Sequence, residues 1–397
     1  MDRKRNILFL SYWSLREPLT AAAVFPYLRL LAQRPAVGHL HLVTIETTPD
    51  QHLPEVAFDT LNVTIHKIKP PFRRPYLLAK AFLQLYAVIR LARLITRHDI
   101  DLVFAKASMA GALAYFAHRL TGVPYIVESF EPHSLYMEEC GVWRRGGVRF
   151  KFSSTLESVQ LRTAEHVMTV THNHRDDLIE QGCDPARIHV IPSITDLEAF
   201  KPNAAARAIM RAELGIPDNA LVGIYVGKFG GLYLDEEAFK LFARCASAFA
   251  PFHLVVLSPS DPSVILEKAR AAGMDTGMVH VRTVPHVEVP RYLSAADLAF
   301  STIKPTPTKR YQCPIKNGEY WAGGLPILTT EGISDEDRDL RQGIGGSTYR
   351  TDLSDIDQAF RRIRAILADP GHREQMVSLA RKYRSVDIAR KVYDRIL

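Results

Sequence analysis

Short apolar runs alternate with longer amphipathic stretches throughout the sequence. Runs such as NILFLSYW, DLVFAKA and LVGIYVGK consist almost entirely of β-branched, aromatic and other apolar residues, which is typical of parallel strands buried on both faces. The stretches between them repeat apolar residues every three or four positions, as helices with one buried face do. The pattern predicts an α/β protein with doubly wound parallel sheets that are covered by helices.

The alternation runs twice along the chain. It stops in IPSITDLEAFKPNAAARAIMRAELGIPDNA, which is rich in Pro, Ala and Asp, and starts again at LVGIYVGK. We therefore expect two Rossmann-like domains, residues 1–195 and 205–383, joined by a linker near 193–205. A last helix, 384–397, is expected to pack back on the first domain. Ligands of such sheets bind beyond the carboxyl ends of the strands, so we expect a cleft between the domains.

Composition is that of a globular protein able to bury a core, with 47% hydrophobic and 23% charged residues among 397. The four cysteines are scattered and predict neither a disulfide framework nor a zinc knuckle. The apolar run of the N-terminal MDRKRNILFLSYW is short and fits a first strand better than a signal peptide. No apolar run reaches the length of a membrane span. We therefore expect a reduced, cytoplasmic protein.

The net charge of +7 is unevenly placed. Residues 60–98 contain eight Lys or Arg and no acidic residue, within a stretch whose pattern predicts a helix. Three of these cations share one side of that helix, namely Arg90, Arg93 and Arg97. The helix is either a packed surface helix with a solvated basic stripe or part of a docking face. In the second case, the 67–98 region contacts an anionic inner membrane face peripherally or binds an acidic acceptor. Nucleic acid is not predicted as a partner, because no recognisable binding module accompanies the charge.

Two loops carry candidate chemistry in the second half. The strand LVGIYVGK leads into FGGLYLDEE, where Gly227, Lys228 and Gly230 precede a helix. Glycines there allow backbone N–H groups to approach an anion, although they also serve tight strand-to-helix turns. A later loop, STIKPTPTKRYQCPIKNGEYW, contains four cations before Glu319, namely Lys304, Lys309, Arg310 and Lys316.

Lys316 and Glu319 are one helical turn apart and share a side of the predicted helix. The cation suits a phosphate, and the carboxylate suits two neighbouring hydroxyls such as a ribose diol. Together they match the two ends of a nucleoside diphosphate. The simpler alternative is a helix start at which Glu319 complements the helix dipole and Lys316 is merely exposed.

The segment P-x-K-x-G-E-Y-x-A-x-G-x-P-I at residues 314–327 resembles the nucleotide-binding segment of GT-B glycosyltransferases, in particular retaining members of glycosyltransferase family 4. VGKFGGLYLDEE is similar to the glycine loop of their C-terminal domain, and RIHVIPSITDLEAFKP to their interdomain signature. TVPHVEVPRYLSAADLAF resembles their base-contacting segment, and SLREPLTAAAVFPYLRLLA their first loop and helix. The resemblance spans nearly the whole chain. It implies a GT-B fold with an N-terminal acceptor-binding domain and a C-terminal domain that binds the nucleotide-sugar.

By this resemblance, Glu319 binds the donor ribose, Lys228 and Lys316 neutralise the diphosphate, and Val284 lies near the base. The expected donor site also includes four other residues of the two loops, namely Gly227, Gly230, Lys309 and Arg310. Of these, Lys309 or Arg310 is the substitute for a second cation that the family places near Lys228.

His133 is the catalytic candidate of the first half, together with Lys228 and Lys316 of the second. It lies in ESFEPHSLYMEE after a predicted strand, where the family presents a histidine to the cleft. In that position it polarises the transferred sugar or the leaving phosphate, with Glu128 and Glu131 beside it. A lone loop histidine is otherwise a surface residue.

These residues predict sugar transfer from a UDP- or GDP-type nucleotide-sugar to a glycan, lipid-linked or other acceptor, in polysaccharide or glycoconjugate biosynthesis. The resemblance implies a retaining enzyme. We expect no metal or other cofactor, because lysines and helix N-termini face the departing diphosphate. A GT-B-type epimerase or phosphorylase and a non-catalytic scaffold subunit remain alternatives. Tyr311 stands where the family's Glu-x7-Glu pair has its first glutamate, which favours the scaffold and leaves the stereochemistry open.

Two further motifs carry no functional prediction. His172 and His174 in THNHRDD sit at a predicted helix start, and no third ligand is fixed by spacing, so no metal site is predicted. GIGG at 343–346 fits a turn before a strand.

Overall fold

A computed structural model describes residues 3–17, 20, 23–46, 62–70 and 76–397, with the side chains of 76–78, 80 and 81 not described. The chain forms two compact units. Unit 1 comprises residues 1–192 and 387–397, and unit 2 comprises residues 193–386. The segment expected to link two domains, 193–205, therefore belongs to unit 2.

Unit 1 is built on a parallel sheet that has seven strands in the described residues, in the order β3-β2-β1-β4-β5-β6-β7. The strands are β1 (Arg5–Ser11), β2 (Val37–Ile45), β3 (Val63–Ile68), β4 (Leu102–Lys106), β5 (Tyr125–Ser129), β6 (His166–Thr169) and β7 (Ile188–Val190). Strand β1 pairs with both β2 and β4, so the chain reverses its direction of travel across the sheet at that point. Strand β4 is buried along its whole length, which explains its uninterrupted apolar sequence.

Helices cover this sheet and complete the core of unit 1. They are α1 (Phe25–Ala32), α2 (Tyr76–Arg97), α3 (Ala107–Thr121), α4 (His133–Glu139), α5 (Val148–Thr163) and α6 (His172–Glu180). Apolar residues of α2 and α3 face the strands and are buried, including Leu91 and Leu113. The helix α4 was not among the predicted elements, because seven residues are too few to show a helical period.

Unit 2 repeats the plan with a six-stranded parallel sheet, in the order β10-β9-β8-β11-β12-β13. The strands are β8 (Leu221–Val226), β9 (Phe252–Leu257), β10 (Val279–Arg282), β11 (Leu298–Ser301), β12 (Ile327–Thr330) and β13 (Gly346–Tyr349). Here the direction reverses between β8 and β11, which are neighbours in the middle of the sheet. Both sheets therefore have the doubly wound order that the apolar pattern predicted.

The helices of unit 2 include one that the sequence did not predict. They are α7 (Ala204–Glu213), α8 (Glu236–Ala248), α9 (Pro262–Ala271), α10 (Val289–Ala295), α11 (Ile315–Ala322), α12 (Asp337–Leu340), α13 (Ile356–Leu367) and α14 (His372–Arg384). The unexpected helix is α7, in the Pro- and Ala-rich connector. Asn203 caps it by accepting a hydrogen bond from Ala206 N, and Arg211 anchors it to Asp297 at 2.7 Å.

The last helix, α15 (Val386–Ile396), carries residues 387–397 into unit 1. Tyr393 is 2% exposed and packs edge-on against Phe104 of the central strand β4, with 5.9 Å between ring centroids. Arg34 and Asp394 form an ion pair at 3.0 Å. Unit 1 is thus assembled from two separate segments of the chain.

Parts of two predictions lie outside the described residues. These are residues 18, 19, 21 and 22 of the first loop, and the basic pair Arg73 and Arg74. Within the described part of α2, Arg90, Arg93 and Arg97 are exposed, as either interpretation of the basic stripe requires. None of the helices in the described ranges combines the length and apolar character that a membrane span needs.

Candidate functional site

The glycine loop and the cation-rich loop meet at the point where the strand order of unit 2 reverses. The first loop follows β8 and the second follows β11, and both leave the same edge of the sheet. Leu234 N donates to Thr302 O at 3.0 Å, and Lys304 N donates to Leu232 O at 3.0 Å. The two loops, about seventy residues apart in sequence, therefore form one structure at the position where doubly wound sheets bind their ligands.

The glycine loop passes directly over the ammonium group of Lys316. Gly227 has φ +145°, a conformation that other residues rarely adopt, and a Cβ there would lie 2.9 Å from Lys316 Nζ. Gly230 and Gly231 also have positive φ values, of 76° and 61°. The glycines are required both by the turn and by the close approach of the lysine.

The ammonium group of Lys316 is buried, and no hydrogen-bond acceptor for it occurs among the described residues. Its Nζ atom lies 4.4 Å from the ring centroid of Tyr233 and 5.0 Å from that of Tyr225, so two aromatic faces are its main neighbours. Burial lowers the pKa of Lys316 to about 8, and the nearby Glu319 carboxylate opposes this shift. The site therefore presents a poorly solvated cation at the glycine loop.

The residues between Lys316 and Glu319 hold the helix in place from its other side. Asn317 Nδ2 donates to Glu336 Oε2 at 2.7 Å, and Glu336 is paired with the buried Arg384. A Cβ at Gly318 would lie 2.3 Å from Thr195 Oγ1, so only glycine permits this packing. The order Lys-Asn-Gly-Glu thus places two charged groups toward the loops and two anchoring positions toward the interior.

Glu319 is 6% exposed and is held by a residue that the sequence analysis missed. His286 Nε2 donates to Glu319 Oε1 at 2.8 Å, and this hydrogen bond raises the pKa of His286. The other carboxylate oxygen, Oε2, accepts no hydrogen bond from the described residues. The neighbouring Tyr320 is fully buried, and its hydroxyl accepts from Val226 N at 3.0 Å, which ties α11 to the end of β8.

The remaining predicted donor residues are less closely assembled. Lys228 is exposed, although its carbonyl accepts a hydrogen bond from the Tyr225 hydroxyl and so belongs to the same loop. Val284 is half-buried beside the core of unit 2. Lys309 is 1% exposed, whereas Arg310 is exposed and lies over the ring of Tyr311. Arg310 is thus the more accessible of the two residues expected to supply a second cation.

In unit 1, His133 begins α4, just beyond the carboxyl end of β5. Its ring lies edge-on to Trp143, with 5.6 Å between centroids, and burial lowers its pKa. Glu128 is held by another partner, because it bonds to Lys106 Nζ at 2.6 Å. Lys106 is 2% exposed, and its pKa is lowered by burial and raised by Glu128. Sequence analysis overlooked this lysine, although a cation at the end of an apolar strand was the available signal.

His133 also lines an apolar groove of about 820 Å³ between α2, α3 and α5. The large apolar side chains of this groove are unusually exposed: Leu85 (58%), Phe116 (40%), Leu120 (64%) and Phe152 (63%). Two exposed cations, Arg119 and Arg149, also line it. An exposed apolar patch of this size with cations beside it is typical of a surface that binds an amphiphilic partner.

His172 and His174 have the structural arrangement expected of a helix start. The Thr171 side chain caps α6 by accepting from His174 N. His174 is buried against Ser129, with 3.0 Å between Nε2 and Oγ, and burial lowers its pKa to about 4. Gly343 and Gly345, in GIGG, have positive φ values in the turn before β13.

Comparison with known proteins identifies relatives for both parts of the chain. Residues 27–193 match the family model described as a glycosyl transferase 4-like domain. The sequence is 26% identical to D-inositol 3-phosphate glycosyltransferase 1 of Catenulispora acidiphila over 284 residues, which are 68% of this chain and 65% of that relative. It is 27% identical to UDP-Gal:alpha-D-GlcNAc-diphosphoundecaprenol alpha-1,3-galactosyltransferase of Escherichia coli over 157 residues, 38% of this chain and 39% of the relative. The chain thus matches less than two thirds of the length of these curated relatives.

A solved structure extends the likeness to the whole chain. Sucrose-phosphate synthase from Thermosynechococcus elongatus superposes with a TM-score of 0.75 at 16% identity, covering 99% of this chain and 98% of that one. At this identity the comparison establishes the fold, which is the GT-B fold that the sequence predicted. The chain therefore has the GT-B fold, its residues 27–193 match a glycosyl transferase 4-like domain, and its sequence is similar to those of named glycosyltransferases.

Proposed function

We propose that the protein transfers a sugar from a nucleotide diphosphate sugar to an acceptor hydroxyl. The observation that carries this proposal is the buried Lys316 ammonium against the glycine loop, one helical turn before the Glu319 carboxylate. A buried cation without a hydrogen-bonded partner is unfavourable, and an anion beside Gly227 removes that cost. A nucleoside diphosphate offers such an anion and, at its ribose, two hydroxyls that Glu319 Oε2 can accept from.

In the proposed reaction, the bond between the anomeric carbon and the diphosphate oxygen breaks, and a bond from the acceptor oxygen to that carbon forms. The electron pair of the broken bond stays on the diphosphate oxygen, and that oxygen takes up the proton that the acceptor hydroxyl loses. Lys316, Lys228 and the backbone N–H groups of the glycine loop stabilise the charge that develops on the leaving group. His133 keeps the role that the resemblance implies, which is to polarise the transferred sugar or the leaving phosphate.

We propose that the nucleotide of the donor is UDP, since the Escherichia coli relative is named for a UDP-galactose donor. Because lysines supply the positive charge, the proposed reaction needs no divalent metal. It is proposed to retain the configuration at the anomeric carbon, as in the family that the sequence resembles. Tyr311 replaces the carboxylate of the family pattern, so the hydrogen bonds to the sugar come from other groups.

The acceptor is proposed to combine an apolar chain with an anionic group. The apolar groove of unit 1 suits the apolar chain of the acceptor, and Arg119 and Arg149 suit its anionic group. The name of the Escherichia coli relative specifies a diphosphoundecaprenol acceptor, which has both chemical features. The exposed Arg90, Arg93 and Arg97 of the neighbouring α2 are proposed to contact the anionic membrane in which such an acceptor resides.

Nucleotide binding is the first test of the donor site. Calorimetry measures the affinity of UDP, GDP and ADP with EDTA present, for the parent and for Lys316→Met, Glu319→Gln and Lys240→Met. Lys240 is an exposed lysine on α8 and serves as the matched control. We expect one diphosphate to bind the parent and the control equally, and both site variants to lose about 10- to 100-fold in affinity. Equal affinities in all four proteins contradict the assignment of the site.

Transfer itself is tested with UDP-sugars and a short-chain prenyl-diphosphate-linked sugar, by following labelled product. Phe152→Asp is expected to raise the KM for this acceptor by about 10-fold or more, because an apolar contact of a Phe is worth roughly 1.5–3 kcal/mol. Ile209→Asp changes an exposed apolar residue of unit 2 and is expected to leave the KM unchanged. Nucleotide binding without transfer to any acceptor supports the scaffold alternative instead.

The membrane contact has a separate test. Vesicles containing anionic lipid are expected to carry the parent upward in a flotation gradient at low salt, and Arg90→Gln/Arg93→Gln/Arg97→Gln is expected to stay behind. If the parent does not co-migrate with these vesicles, α2 is a solvated surface helix.

A further inference from the structure

Three histidines of unit 1 come together on one face of its sheet. His41 lies on β2, His66 on β3, and His98 directly follows α2. One ring nitrogen from each lies within 4.8 Å of the other two. His41 Nδ1 and His66 Nε2 are 3.0 Å apart, and the ring centroid of His98 is 4.5 Å from that of His41.

The backbone sets this arrangement. In the parallel pairing of β2 and β3, Val43 is the register partner of His66, so His41 and His66 lie diagonally across neighbouring strands on the same face. The carbonyl of His98 accepts a hydrogen bond from Asn6 Nδ2 at 3.1 Å, which fixes the end of α2 against β1. Two neighbouring strands and the end of a helix therefore hold the three imidazoles.

We propose that His41, His66 and His98 bind a divalent transition metal, with Zn²⁺ as the best-fitting ion, through three imidazole nitrogens and a water molecule. Imidazole ligands suit Zn²⁺, Cu²⁺ and Ni²⁺ better than Mg²⁺ or Ca²⁺. Zn–N bonds of about 2.0–2.1 Å in tetrahedral geometry require nitrogens about 3.4 Å apart. His41 Nδ1 and His66 Nε2 are 3.0 Å apart and all three ligand atoms lie within 4.8 Å of one another, so small rotations of the rings suffice to complete the site.

His41 and His66 both have a lowered pKa. Burial is the largest cause that lowers the pKa of His41 to about 4, followed by the charges of His39, His98 and His66. Burial also lowers the pKa of His66, with smaller contributions from His98 and Arg90. Neutral imidazoles have the lone pairs that metals need. The positive charge of Arg90 opposes a bound cation, so we expect affinity to be moderate.

This site is distinct from the chemistry proposed above. It links the edge strand β3 to β2 and to the end of α2, whereas His133 lies beyond the carboxyl end of β5. A metal here fastens together elements of unit 1 and stabilises the fold without contacting a sugar donor. The proposal is therefore independent of the proposed transferase activity.

The test uses the full chain without a histidine tag. Co²⁺ is added as a probe that can be followed by its visible absorption. We expect one Co²⁺ per chain, with the visible absorption bands of tetrahedral cobalt, and displacement of these bands by Zn²⁺. His66→Gln and His98→Gln are each expected to reduce Co²⁺ affinity by at least about 10-fold. Circular dichroism and the metal-free Tm of each variant report whether the fold is intact.

A second pair of adjacent histidines, which lacks a third metal-ligating side chain in the described residues, provides a matched control for the three-histidine site. His253 Nδ1 and His280 Nε2 are 3.0 Å apart across β9 and β10, and the described residues place no third metal-ligating side chain with them. His280→Gln is expected to bind Co²⁺ as the parent does. If the parent shows no tetrahedral bands, or if His98→Gln and His280→Gln bind cobalt equally, the proposal is wrong.

Discussion

Replacing Lys316 by methionine is expected to stabilise the unliganded protein while it weakens nucleotide binding. Burial lowers the pKa of this lysine from its ordinary 10.5 to about 8. That difference corresponds to roughly 3 kcal/mol by which the folded site disfavours the charged form. Methionine keeps an aliphatic stem of similar length and removes the charge. Because it also loses the cation–π contacts with Tyr225 and Tyr233, we expect a gain of about 1–2 kcal/mol in the free energy of unfolding at neutral pH.

The pH dependence of this gain has a definite sign. Between pH 8 and 10.5 the unfolded chain binds more protons at Lys316 than the folded chain does, so the parent becomes more stable as the pH rises through this window. The advantage of Lys316→Met is therefore largest below pH 8 and shrinks as the pH approaches 10.5. We expect the nucleotide affinity of the parent to fall above pH 8, because the Lys316 ammonium loses its charge there.

Urea unfolding of the parent, Lys316→Met and the control Lys240→Met, at about pH 7 and about pH 9.5, measures the stability differences. Calorimetry at the same pH values measures nucleotide affinity. A variant that is both more stable and deficient in binding identifies a residue kept for its ligand. If Lys316→Met is less stable than the parent, desolvation of the ammonium is not the dominant effect, and if its nucleotide affinity is unchanged, the cation does not meet the diphosphate.

Three further predictions concern the glycine loop and the helix that carries Lys316 and Glu319. Gly227→Ala places a methyl group 2.9 Å from the Lys316 ammonium, in a strained backbone conformation, and is expected to lower nucleotide affinity by about 10-fold or more. The control Gly273→Ala is also at positive φ but in open space, and is expected to leave the affinity unchanged. Calorimetry measures both variants. Gly318→Ala is expected to destabilise the protein by about 1–3 kcal/mol in urea, and Thr195→Ala in the same chain to restore part of that loss, because the clash is with the threonine hydroxyl. The hydrogen bond that raises the pKa of His286 adds stability that is present below pH 6.5 and lost as the pH rises through the raised value, so the difference between the parent and His286→Gln is expected to shrink over that range in urea titrations.

The alternation of apolar runs and amphipathic stretches was enough to predict the two doubly wound sheets. Strands such as β4 and β9 are buried on both faces, so their sequences contain few polar residues and are easy to recognise. Helix α7 escaped prediction although Asn203 is a good cap, because its alanine-rich sequence has few large apolar residues and lies in a segment rich in proline.

The candidate site could be predicted only in part. Lys316 and Glu319 are close in sequence, so helical spacing placed them together. His286 lies 33 residues from Glu319, and its hydrogen bond depends on how the loop after β10 meets α11. The three histidines of unit 1 were invisible for the same reason, since His41 and His66 are 25 residues apart and no ligand-spacing motif connects them to His98.

The two-segment construction of unit 1 has a consequence for how the protein is made. The ribosome synthesises residues 1–192 first, whereas the helix that covers Phe104 is translated only after all of unit 2. Until then, the apolar surface that Tyr393 covers lacks this cover on the nascent chain. Completion of unit 1 is therefore a late event of biosynthesis, and chaperones that bind apolar surface have the whole translation time of unit 2 in which to act.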